Sequence, residues 1–276
     1  MSTQNHPTHT LLEGSSPLII SVPHAGMALP PEMSGQLTPL ARALPDTDWH
    51  VPMLYDFAGE LDATMIVARY SRYVIDLNRP PDDAALYSDA AKTGLCPTLS
   101  FAGEPLYLVG DEPLAPHEIQ RRRQRYWQPY HDALQEQVNA ARARHGHALL
   151  VDAHSIRSVV PRLFDGRLPD LNIGTHDARS CAAALTGAVR TRLDSQAAYT
   201  SVVDGRFKGG YITRNYGRPE VGAHALQIEL AQSAYLQEPD AGSHPKPAYD
   251  AARAAPLRAL LRALLTDLLA VPLATA

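Results

Sequence analysis

The sequence predicts an α/β protein: a single-domain, three-layer sandwich with a mixed, largely parallel central sheet. Short apolar, β-branched runs, which are typical of buried strands, alternate along the chain with longer segments whose apolar residues recur at helical spacing. Strands that alternate with helices favour a sheet enclosed by helical layers. Because no linker, charge block or repeat divides the sequence, we expect one domain over residues 1–276, with 1–15 as a flexible N-terminal tail.

The individual elements follow from these patterns. Apolar runs are predicted to be strands at residues 17–23, 64–68, 72–77, 147–151, 198–203 and 223–230. Helices are predicted at residues 48–61, 116–144, 175–193 and 251–268. The second of these helices could break near Gln128, because Pro129 lacks a backbone donor and clashes with the preceding turn. The Gly- and Pro-rich stretch 86–116 is predicted to be a long functional loop or lid.

The composition argues against several classes of protein. With 45% hydrophobic and 20% charged residues the chain can bury a core, and disorder is not expected. A formal net charge of -4 argues against nucleic-acid binding, and the basic run at 121–125 is interpreted as a solvated helix face. Charged residues interrupt the Leu- and Ala-rich end, which argues against a membrane span. Two isolated cysteines, Cys96 and Cys181, and a start without signal-peptide character predict a soluble, cytoplasmic protein.

Polar residues lie at or near the carboxyl ends of several predicted strands, where a fully buried strand would be apolar. They are His24, Asp76, Asn78, Asp152, His154, Gln227 and Glu229. The two-residue period of a strand places Asp152 with His154 on one face, and likewise Gln227 with Glu229. In open α/β sheets ligands bind outside the carboxyl ends of the strands, so we expect these side chains to converge there.

Two imidazoles, a carboxylate and a separate glutamate are the set that a catalytic zinc site requires: three ligands, an open position for water and a nearby base. Taken singly, each residue also fits an ordinary structural role: Asp152 could cap a turn, and Glu229 could pair with an arginine. No HExxH motif is present. The combination of residues, rather than their spacing, therefore indicates a zinc-dependent enzyme.

The sequence also resembles the N-formylglutamate amidohydrolase family, from about residue 17 to 235. The resemblance is carried by the blocks SVPHAG at 21–26, DTDWHV at 46–51, RYVIDLNR at 72–79, DAHS at 152–155, GGYITR at 209–214 and QIEL at 227–230. It implies a phosphorylase/hydrolase-like fold related to the zinc carboxypeptidases and aspartoacylases, with one zinc ion, or another divalent transition metal, per chain. It further implies hydrolysis of N-formyl-L-glutamate to formate and L-glutamate, the last step of a histidine degradation route.

The resemblance implies His24 and His154 as metal ligands. The second ligand of the carboxypeptidase relatives would fall at Met27, but a thioether is a poor zinc ligand beside oxygen and imidazole. Asp48, which precedes a predicted helix within one of the matching blocks, is therefore our choice for that ligand. Asp46 is close enough in the sequence to be its rival.

Three further residues have implied roles around the metal. Glu229 matches the catalytic glutamate of the relatives and would take a proton from the attacking water and return it to the leaving nitrogen. Arg72 would stabilise the oxyanion, although an ordinary surface ion pair explains this arginine equally well. Asp152 would hold the His154 ring from the side away from the metal.

The implied substrate is a dianion, which two arginines could bind through paired hydrogen bonds. Asn78 and Arg79 resemble the Asn-Arg pair that holds the substrate carboxylate in the relatives. Arg214 could bind the second carboxylate, with Tyr211 or Lys208 assisting. The loop charges that we expect to be merely solvated are Arg206, Lys208 and Arg218.

Three other functions remain open from the sequence. A zinc-dependent deacylase of another N-acyl acidic amino acid would share this architecture. A non-catalytic metal- or anion-binding protein would keep the ligands without needing Glu229 as a base. A serine or cysteine hydrolase would have to use Ser155 or Cys96, neither of which lies in a nucleophile motif.

Overall fold

The computed structural model describes residues 7–84, 93–108, 114–240 and 242–273. The strands in these ranges are β1 (His9–Leu12), β2 (Leu18–Val22), β3 (Thr64–Ala68), β4 (Ala148–Ile156), β5 (Leu171–Gly174), β6 (Ser201–Val203) and β7 (Ala223–Ala231). They form one seven-stranded sheet in the order β1-β3-β2-β4-β7-β5-β6.

The middle of the sheet is parallel. Strands β3, β2, β4 and β7 lie side by side and point the same way. Antiparallel pairs occur where β1 joins β3 and where β5 joins β7, and β6 runs parallel to β5. Strands β4 and β7 are buried along their whole length, which accounts for their largely apolar sequences. The predicted mixed, largely parallel sheet is confirmed.

Helices pack on this sheet and on one another. They are α1 (Pro31–Ser34), α2 (Pro39–Ala43), α3 (Val51–Leu54), α4 (Pro116–Arg122), α5 (Gln128–His145), α6 (Ala183–Asp194), α7 (Tyr211–Tyr216) and α8 (Ala251–Leu269). Helix α5 packs against β2, β3 and β4, whereas α8 packs against α3 and α6. Across the described parts of the chain, every helix is too short or too polar to cross a membrane.

The helix predicted at 116–144 continues past Pro129 instead of breaking. Helix α4 passes into α5 through a π-helical turn, Arg123–Trp127, that ends just before the proline. Proline has no N–H to donate and its ring collides with the carbonyl one α-helical turn earlier. A π-helical turn changes the hydrogen-bond pattern at that point, so the chain remains helical where we expected a break near Gln128.

The segment predicted as a strand at 72–77 forms buried turns instead. Strand β1 already occupies the outer edge of β3, so the next segment of the chain has no place beside it. The turns are held by Asp76: its Oδ1 accepts a hydrogen bond from the Asn78 N–H at 2.8 Å, and its own N–H donates to Leu95 O at 2.7 Å. The apolar, β-branched pattern of this segment therefore reflects burial, and the strand prediction is wrong.

The N-terminal prediction also needs correction. Residues 1–6 lie outside the described part of the chain, but His9–Leu12 form the edge strand β1 instead of a flexible tail. Strand β5 and helix α7 were not predicted, because four and six residues are too few for a periodic pattern to show.

Other boundaries shift as well. The helix expected at 48–61 consists of α3 and a separate 3-10 segment, Asp56–Leu61. The helix expected at 175–193 begins only at Ala183. Within the loop predicted at 86–116, residues 93–108 contain no regular helix or strand. Residues 85–92 and 109–113 lie outside the described ranges.

The basic run at 121–125 is not uniformly solvated. The Arg122 side chain is only 4% exposed, and its Nε donates to Glu118 Oε1 at 2.7 Å. Its Nη1 donates to Val74 O at 3.1 Å and to the Tyr107 hydroxyl at 3.0 Å. Arg122 therefore ties α4 to the buried turns that carry Asp76.

We expect Glu118→Gln to lower the free energy of unfolding at pH 7 by about 1 kcal/mol, because it leaves Arg122 without its charged partner. The hydrogen bond from Arg121, with a further one from Arg122, lowers the pKa of Glu118 from 4.5 to about 2, although partial burial acts in the opposite direction. A lowered pKa stabilises the fold above about pH 4.5. The difference between variant and parent should therefore shrink as the pH falls from about 4.5 toward 2.

Denaturant unfolding at pH 7 and at lower pH measures this difference. Glu136→Gln, at an exposed position of α5, is the matched control and should leave stability unchanged. Equal destabilisation by both variants, or a difference independent of pH, would contradict the prediction.

Candidate active site

Three parallel strands bring the candidate site together. The chain leaves β2 and reaches His24 two residues later, while β4 carries Asp152 and His154. The register of β4 and β7 sets Asp152 beside Gln227 and His154 beside Glu229. Because these strands run in the same direction, side chains from distant parts of the sequence meet at one edge of the sheet.

The side chains of His24, Asp48 and His154 form a buried group in which one possible ligand atom from each lies within 4.8 Å of the others. Each ring has a carboxylate beside its Nε2: that of His24 lies 2.8 Å from Asp76 Oδ1, and that of His154 lies 2.9 Å from Asp152 Oδ2. The Nε2 of His154 also lies 2.8 Å from Asn78 Nδ2. In each ring Nδ1 faces the group. A carboxylate behind each imidazole is the usual support of a metal-ligating histidine.

The residues fit a divalent cation. The Nδ1 of His24 and the Oδ1 of Asp48 are buried and have no hydrogen-bond partner, although buried polar atoms are normally paired. The Nδ1 of His154 lies 3.0 Å from Asp48 Oδ2. Two imidazole nitrogens and one carboxylate are a donor set suited to a catalytic zinc ion, with room left for water.

The charges of the group are set by its burial. Burial, together with the positive charge of Arg72, lowers the pKa of His24 and keeps that ring neutral. Burial also opposes a charged His154, but Asp152 and Asp48 outweigh it and raise the pKa of this imidazole well above its usual value. A metal ion and a proton would therefore compete for Nδ1 of His154.

The structure separates the two aspartates that the sequence left as rivals. Asp48 belongs to the group, and its Oδ2 accepts a hydrogen bond from the Ser155 N–H at 3.0 Å. Asp46 instead accepts hydrogen bonds from the Tyr73 hydroxyl at 2.7 Å and from the Phe101 N–H at 2.8 Å. Met27, at the position of the relatives' second ligand, is 46% exposed and lies outside the group.

Glu229 lies in the wall of the cavity beside this group and is only 7% exposed. Its Oε2 accepts a hydrogen bond from Gln227 Nε2 at 3.0 Å. Burial is the main cause that raises the pKa of Glu229 to about 8. A carboxyl group with such a pKa can exchange a proton near neutral pH, as a general base must.

Arg72 is buried, so the interpretation as a surface ion pair is wrong. Its Nη2 donates to Asp76 Oδ2 at 2.6 Å, and its Nη1 lies 3.7 Å from Asp48 Oδ1. The guanidinium carbon lies 4.6 Å from the centre of the Phe101 ring. Arg72 thus balances two carboxylates of the site while its side chain also lines the cavity.

The cavity beside the group has a volume of about 90 Å³ and is partly open to solvent. Arginines in its wall are Arg72, Arg79 and Arg206. Apolar residues in its wall are Phe101, Ile156, Leu163 and Phe207. A partly apolar cavity with several cations favours a small anionic ligand.

The predicted substrate residues are only partly brought together. Asn78 and Arg79 line the cavity, and the Arg79 guanidinium donates to Thr93, through Nε to the main-chain oxygen at 2.8 Å and through Nη2 to Oγ1. Arg214 and Tyr211 are not among its described lining residues. Arg214 Nε donates to Gly209 O at 2.8 Å.

Sequence reasoning missed Arg206, which lines the cavity although it was expected to be merely solvated. Its Nε donates to Leu163 O at 2.8 Å. The other two loop charges behave as expected: Lys208 pairs with Asp177 at the surface, and Arg218 donates to Asn215 O. The only signal in the sequence was the position of Arg206 within a few residues of the matching block at 209–214.

Fold and site together define an α/β protein with a candidate metal centre at the carboxyl edge of its parallel strands, an arrangement that suits a metal-dependent hydrolase. The sequence model of the family described as N-formylglutamate amidohydrolase matches residues 16–236. This chain therefore belongs to the N-formylglutamate amidohydrolase family, and the resemblance seen in the sequence is confirmed.

Two curated relatives are similar over almost their whole length. The N-formylglutamate deformylase of Pseudomonas aeruginosa is 51% identical over 257 residues, which cover 93% of this chain and 94% of that protein. The N-formylglutamate deformylase of Pseudomonas putida is 47% identical over 260 residues, which cover 94% of each.

Solved structures have the same fold. The crystal structure of an N-formylglutamate amidohydrolase from Ralstonia eutropha JMP134 has a TM-score of 0.78 and 27% identity, covering 95% of this chain and 98% of that one. A protein from Agrobacterium tumefaciens has a TM-score of 0.71 at 18% identity, covering 98% and 97% of the two chains, and it supports the fold alone.

Substitutions of Asp48 and Asp46 test whether the group of His24, Asp48 and His154 binds a metal ion. We expect Asp48→Asn to weaken Zn²⁺ binding by a factor of about 100 or more, because it would remove one of the three candidate ligands, whereas Asp46→Asn should weaken it by less than about tenfold. Competition between the metal-free protein and a chromogenic chelator measures both affinities. Circular dichroism checks that both variants are folded. Equal zinc affinity in the Asp48 variant and the parent would contradict the assignment.

Proposed function

We propose that this protein is a zinc-dependent hydrolase that cleaves the formyl amide of N-formyl-L-glutamate, releasing formate and L-glutamate. The observation that carries the proposal is the buried group of His24, Asp48 and His154 beside Glu229 in a cavity with several arginines. The substrate follows from the relatives, two of which are N-formylglutamate deformylases about half identical to this chain.

His24, Asp48 and His154 would hold the zinc ion through the atoms that face one another. A bound zinc ion supplies Lewis-acid catalysis and lowers the pKa of a water molecule from about 15.7 to roughly 7. Asp76 and Asp152 lie beside Nε2 of the two imidazoles, an arrangement that would direct Nδ1 of each ring to a bound cation. These contacts would orient the rings of His24 and His154 for metal binding.

Glu229 is the general base of the proposed reaction. Its carboxylate takes a proton from water as the water oxygen forms a bond to the formyl carbon. It then gives that proton to the nitrogen as the carbon–nitrogen bond breaks, so that formate and the free amino group of glutamate leave. The buried position of Glu229 suits both steps, because burial favours the neutral carboxyl that must act as the acid.

The arginines of the cavity bind the dianionic substrate in this proposal. Arg79 and Arg206 are the cations that line the cavity besides Arg72, and each can offer paired donors to a carboxylate. Arg214 is the weaker candidate, since it is not a described lining residue. Arg72 would stabilise negative charge on the formyl oxygen from its place between Asp48 and Asp76.

The wider context of the reaction rests on the sequence. The resemblance supports the proposal that this reaction is the last step of a histidine degradation route. The isolated cysteines, which are not paired as a disulfide in the described chain, support the prediction of a cytoplasmic location.

A substrate panel tests the proposed function. We expect formate release from N-formyl-L-glutamate to exceed formate or acetate release from N-formylaspartate and N-acetylaspartate in kcat/KM. Activity should disappear when a chelator removes the metal and return when Zn²⁺ is restored. Preference for an acetylated substrate would favour the related deacylase, and unchanged activity after verified metal removal would favour a serine or cysteine hydrolase.

The role of Glu229 has its own test. We expect Glu229→Gln to lower kcat by about 10²- to 10⁴-fold, the usual contribution of a general base. Zinc affinity should stay close to that of the parent, because Glu229 lies outside the ligand group. Glu220→Gln, at an exposed position, is the control and should keep full turnover. A Glu229 variant with parental kcat would exclude this base.

A further inference from the structure

Gln227 is a buried polar residue to which the reaction described above assigns no role. It precedes Glu229 by two residues in β7, so both side chains lie on one face of the strand. Gln227 is 4% exposed, and both the oxygen and the nitrogen of its side-chain amide are hydrogen-bonded. Oε1 accepts from the Gly210 N–H at 2.8 Å, and Nε2 donates to Glu229 Oε2 at 3.0 Å. Because a main-chain N–H can only donate, the amide has one orientation, with its own donor toward the glutamate.

Gly210 immediately precedes α7, and the turn that it forms there, the Gly210 turn, is also in contact with Asn78. A Cβ at position 210 would lie 2.4 Å from Asn78 Nδ2, so only glycine allows this approach. The Asn78 Oδ1 accepts from the Ile212 N–H at 2.8 Å, and the Asn78 main-chain oxygen accepts from the Tyr211 N–H at 3.3 Å. The start of α7 is therefore hydrogen-bonded to the side-chain amides of both Asn78 and Gln227. These bonds hold the Gly210 N–H in the position from which it donates to Gln227.

Asn78 also contacts Asp152, the carboxylate that lies beside the candidate ligand His154. Its Nδ2 donates to Asp152 Oδ2 at 2.9 Å and lies 2.8 Å from His154 Nε2, which is itself 2.9 Å from the same Asp152 oxygen. A continuous path of hydrogen bonds and main chain thus runs from the His154–Asp152 pair, through Asn78 and the Gly210 turn, to Gln227 and Glu229. This path links the candidate ligand to the candidate base independently of the strand pairing.

The geometry points to Gln227 as a positioning residue for Glu229, an inference that rests on the proposed function. Pairing of β4 with β7 fixes the main chain of Glu229, but a glutamate side chain has several rotatable bonds and would sample other rotamers. The hydrogen bond from Gln227 Nε2 selects one position of the carboxylate, next to the metal group. Gln227 acts through Glu229 and does not itself exchange a proton.

Kinetics of Gln227→Leu test this role, since leucine keeps the bulk without the amide. We expect kcat for N-formyl-L-glutamate to fall about 10- to 100-fold, as for other residues that orient a functional side chain. KM and the affinity for Zn²⁺ should stay close to the parent. In a Glu229→Gln background the same substitution should cause no further loss, because the group through which Gln227 acts is already gone.

Two more variants separate positioning from stability. Gln227→Glu keeps an acceptor for the Gly210 N–H but sets a second carboxyl group against Glu229 in place of the amide donor, so it should also lower kcat. Asn172→Leu removes another buried amide, on β5 beside Glu229, that donates only to main-chain oxygens. This control should lower the melting temperature while leaving kcat near that of the parent.

Several results would overturn the inference. One is a parental kcat in both Gln227 variants, and another is a rise in KM with no change in kcat. A third is that Gln227→Leu lowers kcat by the same factor in the parent and in the Glu229→Gln background. That third result would mean that Gln227 acts on the substrate directly. These results differ from failure of the proposed function, in which the parent itself would release no formate and the role of Gln227 would fall with it.

Discussion

Parallel pairing of β2, β4 and β7 is the constraint on which the rest of the structure depends. These neighbouring strands end at the same edge of the sheet, so His24, His154 and Glu229 meet although they are far apart in the sequence. The register of β4 matters as much as its direction. A slip by one residue would turn His154 and Asp152 to the opposite face of the sheet. The strand pairing that stabilises the fold therefore also assembles the site.

Burial of charge is the second organising feature. Asp48, Asp76, Asp152 and Arg72 are almost fully buried, and isolated buried charges are strongly unfavourable. Each carboxylate is compensated by an imidazole, a guanidinium or an amide, and the same contacts orient both rings. Stability and chemistry thus use one set of hydrogen bonds, which is why the carboxylates behind the histidines matter as much as the rings themselves.

Much of the candidate site could be predicted from the sequence, because polar side chains near the ends of buried parallel strands converge whatever the strand order. His24, His154 and Glu229 were identified in this way. The segment 72–77 could not be predicted, since an apolar pattern does not distinguish a strand from buried turns. Arg206 was missed because its approach to the cavity depends on how the connection after β6 folds. An amide such as Gln227 has no intrinsic reactivity, so only its contacts reveal a role.

Phe101 contacts both the segment that carries Asp48 and the side chain of Arg72. Its N–H is bonded to Asp46, two residues before Asp48, and its ring lies against the guanidinium of Arg72. Enlarging the cavity by truncating this phenylalanine would remove the aromatic face on which Arg72 rests. Phe207 has the same drawback, since its ring lies 5.7 Å from the Arg206 guanidinium. Widening the cavity would therefore begin at Leu163, which contacts Arg206 through its main-chain oxygen.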